Sequence, residues 1–217
     1  MFHLAALASV ARSWRSPGET LVTNVQVTVN LLEAVRTEAP EAGVVVASSG
    51  AACDLLAGQY ADVFGIRIVR TRAFNHAGPG QSDDYVVGTL TRQVAEAEAA
   101  GTAEVVLRTG NPDSARDFTD VRDVVRAYRA AAELPAGVYN LCSGRATSVR
   151  HLVELVRRAT SLPVRHEIDP DRLRAHDVPE LRGSAERLRA ASGWRPEIPL
   201  ERTVADALEV WRRELGG

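Results

Sequence analysis

Two kinds of apolar pattern alternate along the chain. Between 17 and 40, Leu21, Val25, Val29 and Leu32 recur at the three- and four-residue spacing that lines one face of a helix. Ser16-Pro17-Gly18-Glu19 in front of them reads as a capping box with proline at the first helical position. Residues 43–49, Gly-Val-Val-Val-Ala-Ser-Ser, are a continuous apolar run too short for a helix, the pattern of a strand covered on both faces in a parallel sheet. Leu55, Leu56, Tyr60 and Phe64 outline a second helix stopped by Gly65, and 66–71 is a second strand. Asp83 or Asp84 is placed to cap a helix running to about Gly101. A strand follows at 104–108, a turn at Asn111-Pro112-Asp113, and a helix from Asp120 through Val124, Val125, Tyr128 and Ala131 that Pro135 and Gly137 end. Residues 138–141 read as a strand, and Ser148 caps a helix through Leu152, Leu155 and Val156. An outer strand at 163–168 and short helices near 184–191 and 200–214 complete the pattern. Strands alternating with helices predict an α/β fold with a mainly parallel sheet.

Composition narrows the chemistry. The 217 residues, 45% hydrophobic and 25% charged, are enough for one domain with a sizeable core, or one with a small appendage. With 26 basic and 28 acidic residues the net charge is -2, which argues against a nucleic-acid or anionic-membrane partner. No apolar run approaches the ~18 residues a bilayer requires. All 26 basic residues are arginine. The absence of lysine closes every mechanism that needs an ammonium from this chain: a Schiff base, a phosphate-loop lysine or a lysine-assisted tyrosine base. Cys53 and Cys142 lie far apart without a CxxC or histidines at ligand spacing, so no metal site is expected, and both read as buried free thiols in a reducing cytoplasm. The first 16 residues, poor in acid and carrying Ser and Arg, have a faint transit-peptide flavour but no secretory pattern; a cytoplasmic location is expected. His151, His166 and His176 follow no ligand spacing, and Trp14, Trp194 and Trp211 read as core.

Several short strings occur in a fixed order. They are His3-Leu4-Ala5-Ala6 with Ser9-Val10; Asn24-Val25 and then Asn30-Leu31-Leu32-Glu33-Ala34; Ser48-Ser49; and Arg72-Ala73-Phe74-Asn75-His76-Ala77-Gly78-Pro79-Gly80-Gln81. Arg116-Asp117-Phe118-Thr119-Asp120-Val121-Arg122-Asp123, Val138-Tyr139-Asn140 with Ser143-Gly144, and Gly193-Trp194-Arg195-Pro196 follow. In this order they resemble the extended short-chain dehydrogenase/reductases (NAD-dependent epimerase/dehydratases) that modify nucleotide sugars, nearest to the GDP-mannose 4,6-dehydratases and GDP-4-keto-6-deoxy-mannose reductases. The resemblance runs over essentially the whole chain. It implies a doubly wound, Rossmann-like sheet binding NADP or NAD, a smaller C-terminal lobe over the sugar nucleotide, and a tyrosine base assisted by a lysine four residues later.

Matched position by position, the resemblance puts Leu4, Ala5, Ala6, Ser48 and His76 beside the cofactor. Ser49 falls at the retained catalytic-triad position, and Asn24 at an asparagine that supports the proton relay. It puts Asn75, Gln81, Val86, Val87, Arg92, Arg116, Arg174 and Asp177 around a nucleotide sugar, a GDP-hexose in the nearest relatives. Arg116 matches the arginine aimed at the diphosphate, where a planar guanidinium can bind phosphate oxygens in pairs. Each position also has a plainer reading. Arg116 could pair with Asp120 or Asp123; His76 could be a hydrogen-bonded loop histidine; Asn75 could shape the turn before Gly78; Asn24 could bond backbone within its helix; Ser48 and Ser49 could mark a strand end.

Against the family pattern the sequence departs twice. It enters at the fourth family strand, without the glycine-rich turn that receives the cofactor pyrophosphate; roughly two βαβ units of ~30 residues precede that point in relatives. The string 44–50 also runs directly into Ala51-Ala52-Cys53-Asp54-Leu55-Leu56, without the intervening segment that carries the tyrosine, the lysine and the dehydratase glutamate. Tyr60, Tyr85, Tyr128 and Tyr139 are followed four residues on by Phe64, Thr89, Ala132 and Ser143, none of them cationic. The expected organisation is therefore a remnant of the dinucleotide domain at 1–75 and a nucleotide-sugar lobe at 76–217, with 117–142 returning to the sheet. Three readings follow: a catalytically impaired family member, a non-catalytic sugar-nucleotide module or partner of an intact relative, and a truncated gene remnant. Loss of the earlier strands would leave 43–49 as a bare apolar edge, favouring homo-oligomers or aggregation.

Overall fold

A computed structural model describes residues 1–7, 16–47, 51–173 and 177–216. In chain order the elements are β1 (Phe2–His3), α1 (Pro17–Glu38), β2 (Val44–Ala47), α2 (Ala51–Phe64), β3 (Ile68–Ala73), β4 (Asn75–Ala77), α3 (Val86–Ala99), β5 (Val105–Thr109), β6 (Ala115–Asp120) and α4 (Val121–Ala131). They continue with β7 (Gly137–Leu141), β8 (Ala146–Ser148), α5 (Val149–Ala159), β9 (Val164–Ile168), a 3₁₀ turn at Pro170–Arg172, β10 (Glu180–Leu181), α6 (Glu186–Ser192) and α7 (Leu200–Leu215). The first of two units comprises Met1–Ala73, Val125–Leu141 and Ser184–Arg195, and the second Phe74–Val124, Cys142–Gly183 and Pro196–Gly217.

The first unit is a parallel sheet in the order β1-β2-β3-β7. Val44 and Val46 point to one face, where they meet Leu32 and Val35 of α1, Ala57 of α2 and Ile68 of β3. Val45 and Val69 are buried as well, so β2 and β3 are covered on both faces, which is why they read as unbroken apolar runs. α2 approaches the sheet closely at Gly58, where a Cβ would lie 2.5 Å from Arg70 Nη1. Gly65, at φ 68, ends that helix in the left-handed region.

The second unit pairs β10-β6-β4 in parallel, adds β8 antiparallel to β6, and holds β5 and β9 as a separate parallel pair. Leu90 and Val94 of α3, Leu107 of β5, Leu152 and Val156 of α5, and Val204 and Leu208 of α7 fill its core, each fully buried. At roughly 25 cal/mol per Å² of apolar area, each leucine contributes about 1.5–3 kcal/mol.

Four expectations are corrected. Val44–Ala47 is not a bare edge: Phe2 pairs with Val45 and His3 with Val46, and Val45 N–H donates to Met1 O at 2.9 Å. On this side of the sheet the two-residue β1 is the outermost strand among the described residues. Ser16 precedes α1 but its side chain makes no cap bond; the Thr20 N–H and hydroxyl donate to Ser16 O instead. Tyr85 rather than Asp83 or Asp84 stands at the N-cap of α3, without a side-chain cap bond, while the Asp83 carboxylate pairs with Arg92 within the second unit. Lastly, Leu21, Leu55 and Phe64 lie on outer faces, the inward stripes being Thr28, Leu32 and Val35 on α1 and Asp54, Ala57 and Gly58 on α2.

Candidate functional site

The polar strand β6 organises the second unit. Asp117 is fully buried without an ion pair among the described residues, and its carboxylate accepts from Ser143 N–H (2.8 Å), Ser143 Oγ (2.6 Å), Gly144 N–H (2.9 Å) and Gly183 N–H (3.3 Å). Asp120 accepts from Arg122 N–H, Nε and Nη2, each at 2.8 Å, and from Thr203 Oγ at 2.7 Å. Burial would raise its pKa, but these donors outweigh burial and hold it below the ordinary carboxylate value. Asp123 accepts from Glu197 and Ile198 N–H, both at 2.9 Å. Three aspartates at three-residue spacing thus tie β6 and the start of α4 to segments far away in sequence. That spacing is visible in the sequence; their partners are not.

Arg116 pairs with neither Asp120 nor Asp123. Its Nη2 donates to Asp177 Oδ1 at 2.7 Å, and its Nη1 donates to Val178 O (2.7 Å) and to Ala115 O (2.8 Å). Two predicted substrate residues therefore hold each other, and Arg174 lies outside the described residues. Ala115 N–H donates to Pro179 O, and Glu180 and Leu181 pair with Ala115 and Arg116, so 177–183 is stitched along β6.

The other predicted substrate positions cluster near β4 and α3. Asn75 and His76 are exposed on β4, with His76 Nδ1 3.2 Å from Phe74 O. Gln81 Nε2 donates to His76 O at 2.7 Å, and its buried Oε1 has no partner among the described residues. Val87 sits in the hydrophobic core and Val86 packs against it. Arg92 is held by Glu96 (2.8 Å) and Asp83, with its guanidinium 5.6 Å from the Trp211 ring centre.

In the first unit a cavity of about 250 Å³ opens among His3, Ala5, Ala6, Asn24, Ala47 and Cys53. Ala5 and Ala6 line it, and Leu4 is exposed beside it. Asn24 Oδ1 accepts from Leu7 N–H at 2.7 Å and its Nδ2 donates to Leu7 O at 3.3 Å, so the carboxamide bonds both backbone groups of Leu7. His3 Nε2 lies 3.1 Å from Thr28 Oγ, and burial lowers its pKa, keeping the ring neutral. The Thr20 and Thr28 hydroxyls donate to backbone oxygens within α1. Ser48 and Ser49 lie outside the described residues. Among the described residues the lining carries no cation to meet the phosphates of NADP or NAD, and the volume lies below the ~300 Å³ at which ligand pockets begin.

Tyr60, Tyr128 and Tyr139 are not poised as bases. Tyr60 donates to Glu33 at 2.6 Å, and that bond, with burial, raises its pKa. Burial raises the pKa of Tyr128 despite a bond with Thr71, and the Tyr139 hydroxyl donates to Pro135 O at 3.2 Å. Cys142 is buried as expected, whereas Cys53 is only partly so. Burial and the nearby Asp117 carboxylate push the Cys142 thiol up to about 12, against an opposing bond from the Gly144 backbone. Among the described residues no three His, Cys, Asp or Glu side chains gather as a metal site, and no helix is long and apolar enough to cross a membrane.

Comparison with known proteins matches this arrangement to one family. A family model described as GDP-mannose 4,6 dehydratase matches residues 1–52 and 45–207. The GDP-6-deoxy-D-mannose reductase of Pseudomonas aeruginosa is 32% identical, the match covering 97% of this chain and 79% of the relative. It extends over 242 residues, more than the 217 of the chain, so at least 25 positions of the relative have no counterpart here. The structure of RMD from Pseudomonas aeruginosa complexed with NADPH superposes with a TM-score of 0.90 at 30% identity, over 98% of this chain and 81% of that one. MoeE5 in complex with UDP-glucuronic acid and NAD gives 0.85 at 28%, over 98% and 79%. The two stretches of the family match meet over residues 45–52, where β2 passes into α2. With its parallel Rossmann-like sheet and this match along nearly its whole length, the chain belongs to the GDP-mannose 4,6-dehydratase family of extended short-chain dehydrogenase/reductases.

Proposed function

We propose that this chain binds a nucleotide sugar, a GDP-hexose, through its second unit, and does not itself carry out the hydride-transfer chemistry of its family. The observation that supports this most directly is the junction after β2. Only residues 48–50 separate Ala47 from Ala51, where the family pattern places a tyrosine base and its lysine, and the chain contains no lysine. The paired state of Tyr60, Tyr128 and Tyr139 and the small neutral cavity in the first unit point the same way. In this reading 76–217 supplies the sugar-nucleotide lobe, 1–75 with part of 117–142 supplies the sheet, and the protein works in the cytoplasm.

Binding rests on Arg116. Phosphate is recognised by bidentate guanidinium bonds, which lysine could not reproduce in geometry. Asn75, His76 and Gln81 present polar atoms at the end of β4 on the same unit.

The test is incubation with GDP-mannose and NADP, followed for a 4-keto sugar, together with thermal melts in each ligand. GDP-mannose should raise the Tm, by roughly 5–10 °C at a hundredfold excess over its Kd, and NADP should raise it less. No 4-keto product should form. Turnover at a rate typical of the family, or a larger shift with NADP, overturns the reading.

A further inference from the structure

We infer that Asp177 is a positioning residue for Arg116: it fixes the guanidinium so that two of its N–H groups face outward as a preformed fork for the diphosphate. The inference rests on the nucleotide-sugar reading above and adds to it a division of labour between two residues that the resemblance assigns separately to the ligand.

Donor counting carries the argument. A guanidinium has five N–H donors in a fixed plane. Among the described residues three are taken, two on Nη1 by the Ala115 and Val178 carbonyls and one on Nη2 by the Asp177 carboxylate. The Nε–H and the second Nη2–H remain. The three bonds engage both terminal nitrogens, so the plane can neither rotate nor swing without breaking a bond of 2.7–2.8 Å. A free arginine would lose its rotamer freedom on gripping a phosphate, whereas here the folded chain has already removed most of it.

The acceptors are themselves fixed. Val178 and Asp177 belong to the segment stitched along β6 by Ala115 N–H to Pro179 O and by the β10 pairing. Gly183 N–H reaches Asp117 at the far end of the segment. Consecutive residues of β6, Arg116 and Asp117, thus hold the two ends of 177–183. Arg116 and Asp177 are each less than one-fifth exposed, so the pair is sheltered without being sealed.

Charge alone argues the other way, since a carboxylate beside the arginine repels an incoming anion. That repulsion is muted because Asp177 is compensated by the same guanidinium, and a partly exposed site screens what is left. Positioning therefore dominates.

The experiment measures the Kd of GDP and of guanosine for the full chain carrying wild-type Asp177, Asp177→Ala, Asp177→Glu or Arg116→Gln, and for the double variant Arg116→Gln/Asp177→Ala. Asp177→Ala should weaken GDP roughly tenfold, the loss of about one charge-assisted hydrogen bond, and leave guanosine unchanged. Asp177→Glu should recover part of the loss, and Asp177→Ala should change nothing further once Arg116 is glutamine. Equal weakening of GDP and guanosine would make Asp177 a direct nucleoside contact and overturn the inference. Tighter GDP binding by Asp177→Ala would make it a competitor and overturn it too. If wild-type protein binds neither GDP nor guanosine, the nucleotide-sugar reading fails first, and the inference with it.

Discussion

Asp117→Asn offers a demanding test of the fold, because it keeps the side chain's shape and changes one atom. The wild-type carboxylate is fully buried and uses both oxygens: Oδ1 accepts from the Ser143 N–H and hydroxyl, and Oδ2 from the Gly144 and Gly183 N–H groups. An asparagine presents one oxygen and one NH₂. Whichever way the amide turns, two donors from the protein face a third donor instead of an acceptor. The Ser143 hydroxyl can rotate, and its Oγ already lies 3.4 Å from Arg145 O, so the lesser loss is to turn the amide nitrogen towards Ser143. One buried backbone N–H is then still left unpaired. At about 1–3 kcal/mol for each unpaired buried donor, plus the weakening of two charge-assisted bonds to neutral ones, the second unit should lose roughly 3 kcal/mol. Asp117→Ala leaves the Ser143, Gly144 and Gly183 N–H groups all unpaired and should cost at least as much, the relief of burying no charge offsetting only part of it. The assay is a urea melt followed by the fluorescence of Trp211, which lies in the second unit, in a background where Trp14 and Trp194 are replaced by Phe, with amide exchange at Ser143 and Gly144 as the local readout. An Asp117→Asn protein within about 0.5 kcal/mol of wild type, the usual scatter of surface substitutions, would refute the two-oxygen account.

Two further outcomes follow from the electrostatics. Asp120 and Asp206 are held below the ordinary value of 3.8 despite burial, by Arg122, Thr203 and Arg202, and Glu98 is held below 4.5 chiefly by Arg212. Depressed folded-state pKa values add stability that is complete above the unfolded values and disappears as pH falls through the folded ones. The urea midpoint should therefore be flat above about pH 5 and fall steeply below pH 4, with Arg122→Gln flattening that fall; an acid-insensitive midpoint would contradict the ion pairs. Thiol titration with a disulfide reagent at pH 8 should label Cys53 and spare Cys142 until the protein unfolds, because a buried thiol pushed up to about 12 has almost no thiolate. Rapid reaction of both thiols in the folded protein would show the Cys142 pocket to be open.

The α/β alternation was legible because each buried strand of the first unit is an apolar run and each long helix carries a stripe. Short polar strands were not. Asn75–Ala77, Ala146–Ser148 and Glu180–Leu181 hold no more than three residues each and show no period, so only their pairing with β6 identifies them. The edge at β1 was hidden for the same reason, since two residues make no pattern. The Arg116–Asp120 string was recognisable as a motif, yet its work could not be read from it: Asp177 is 61 residues from Arg116, and Thr203 is 83 from Asp120. Charge complementarity over such separations leaves no local mark in composition or spacing. Asn24 was visible as a candidate, but its two hydrogen bonds to the Leu7 backbone, 17 residues away, leave no periodic signal.

A strand reading Ala-Arg-Asp-Phe-Thr-Asp would ordinarily be assigned to the surface, yet its last four residues are buried and three other strands pair with it. Interior over most of its length but mostly polar, β6 reverses the usual rule of tolerance. At Asp117 and Asp120 an apolar replacement, harmless in most hidden positions, would unfasten a different distant loop each time. Change can therefore enter this strand only in concert with change far downstream, which makes it the slowest-drifting stretch one would expect in the molecule.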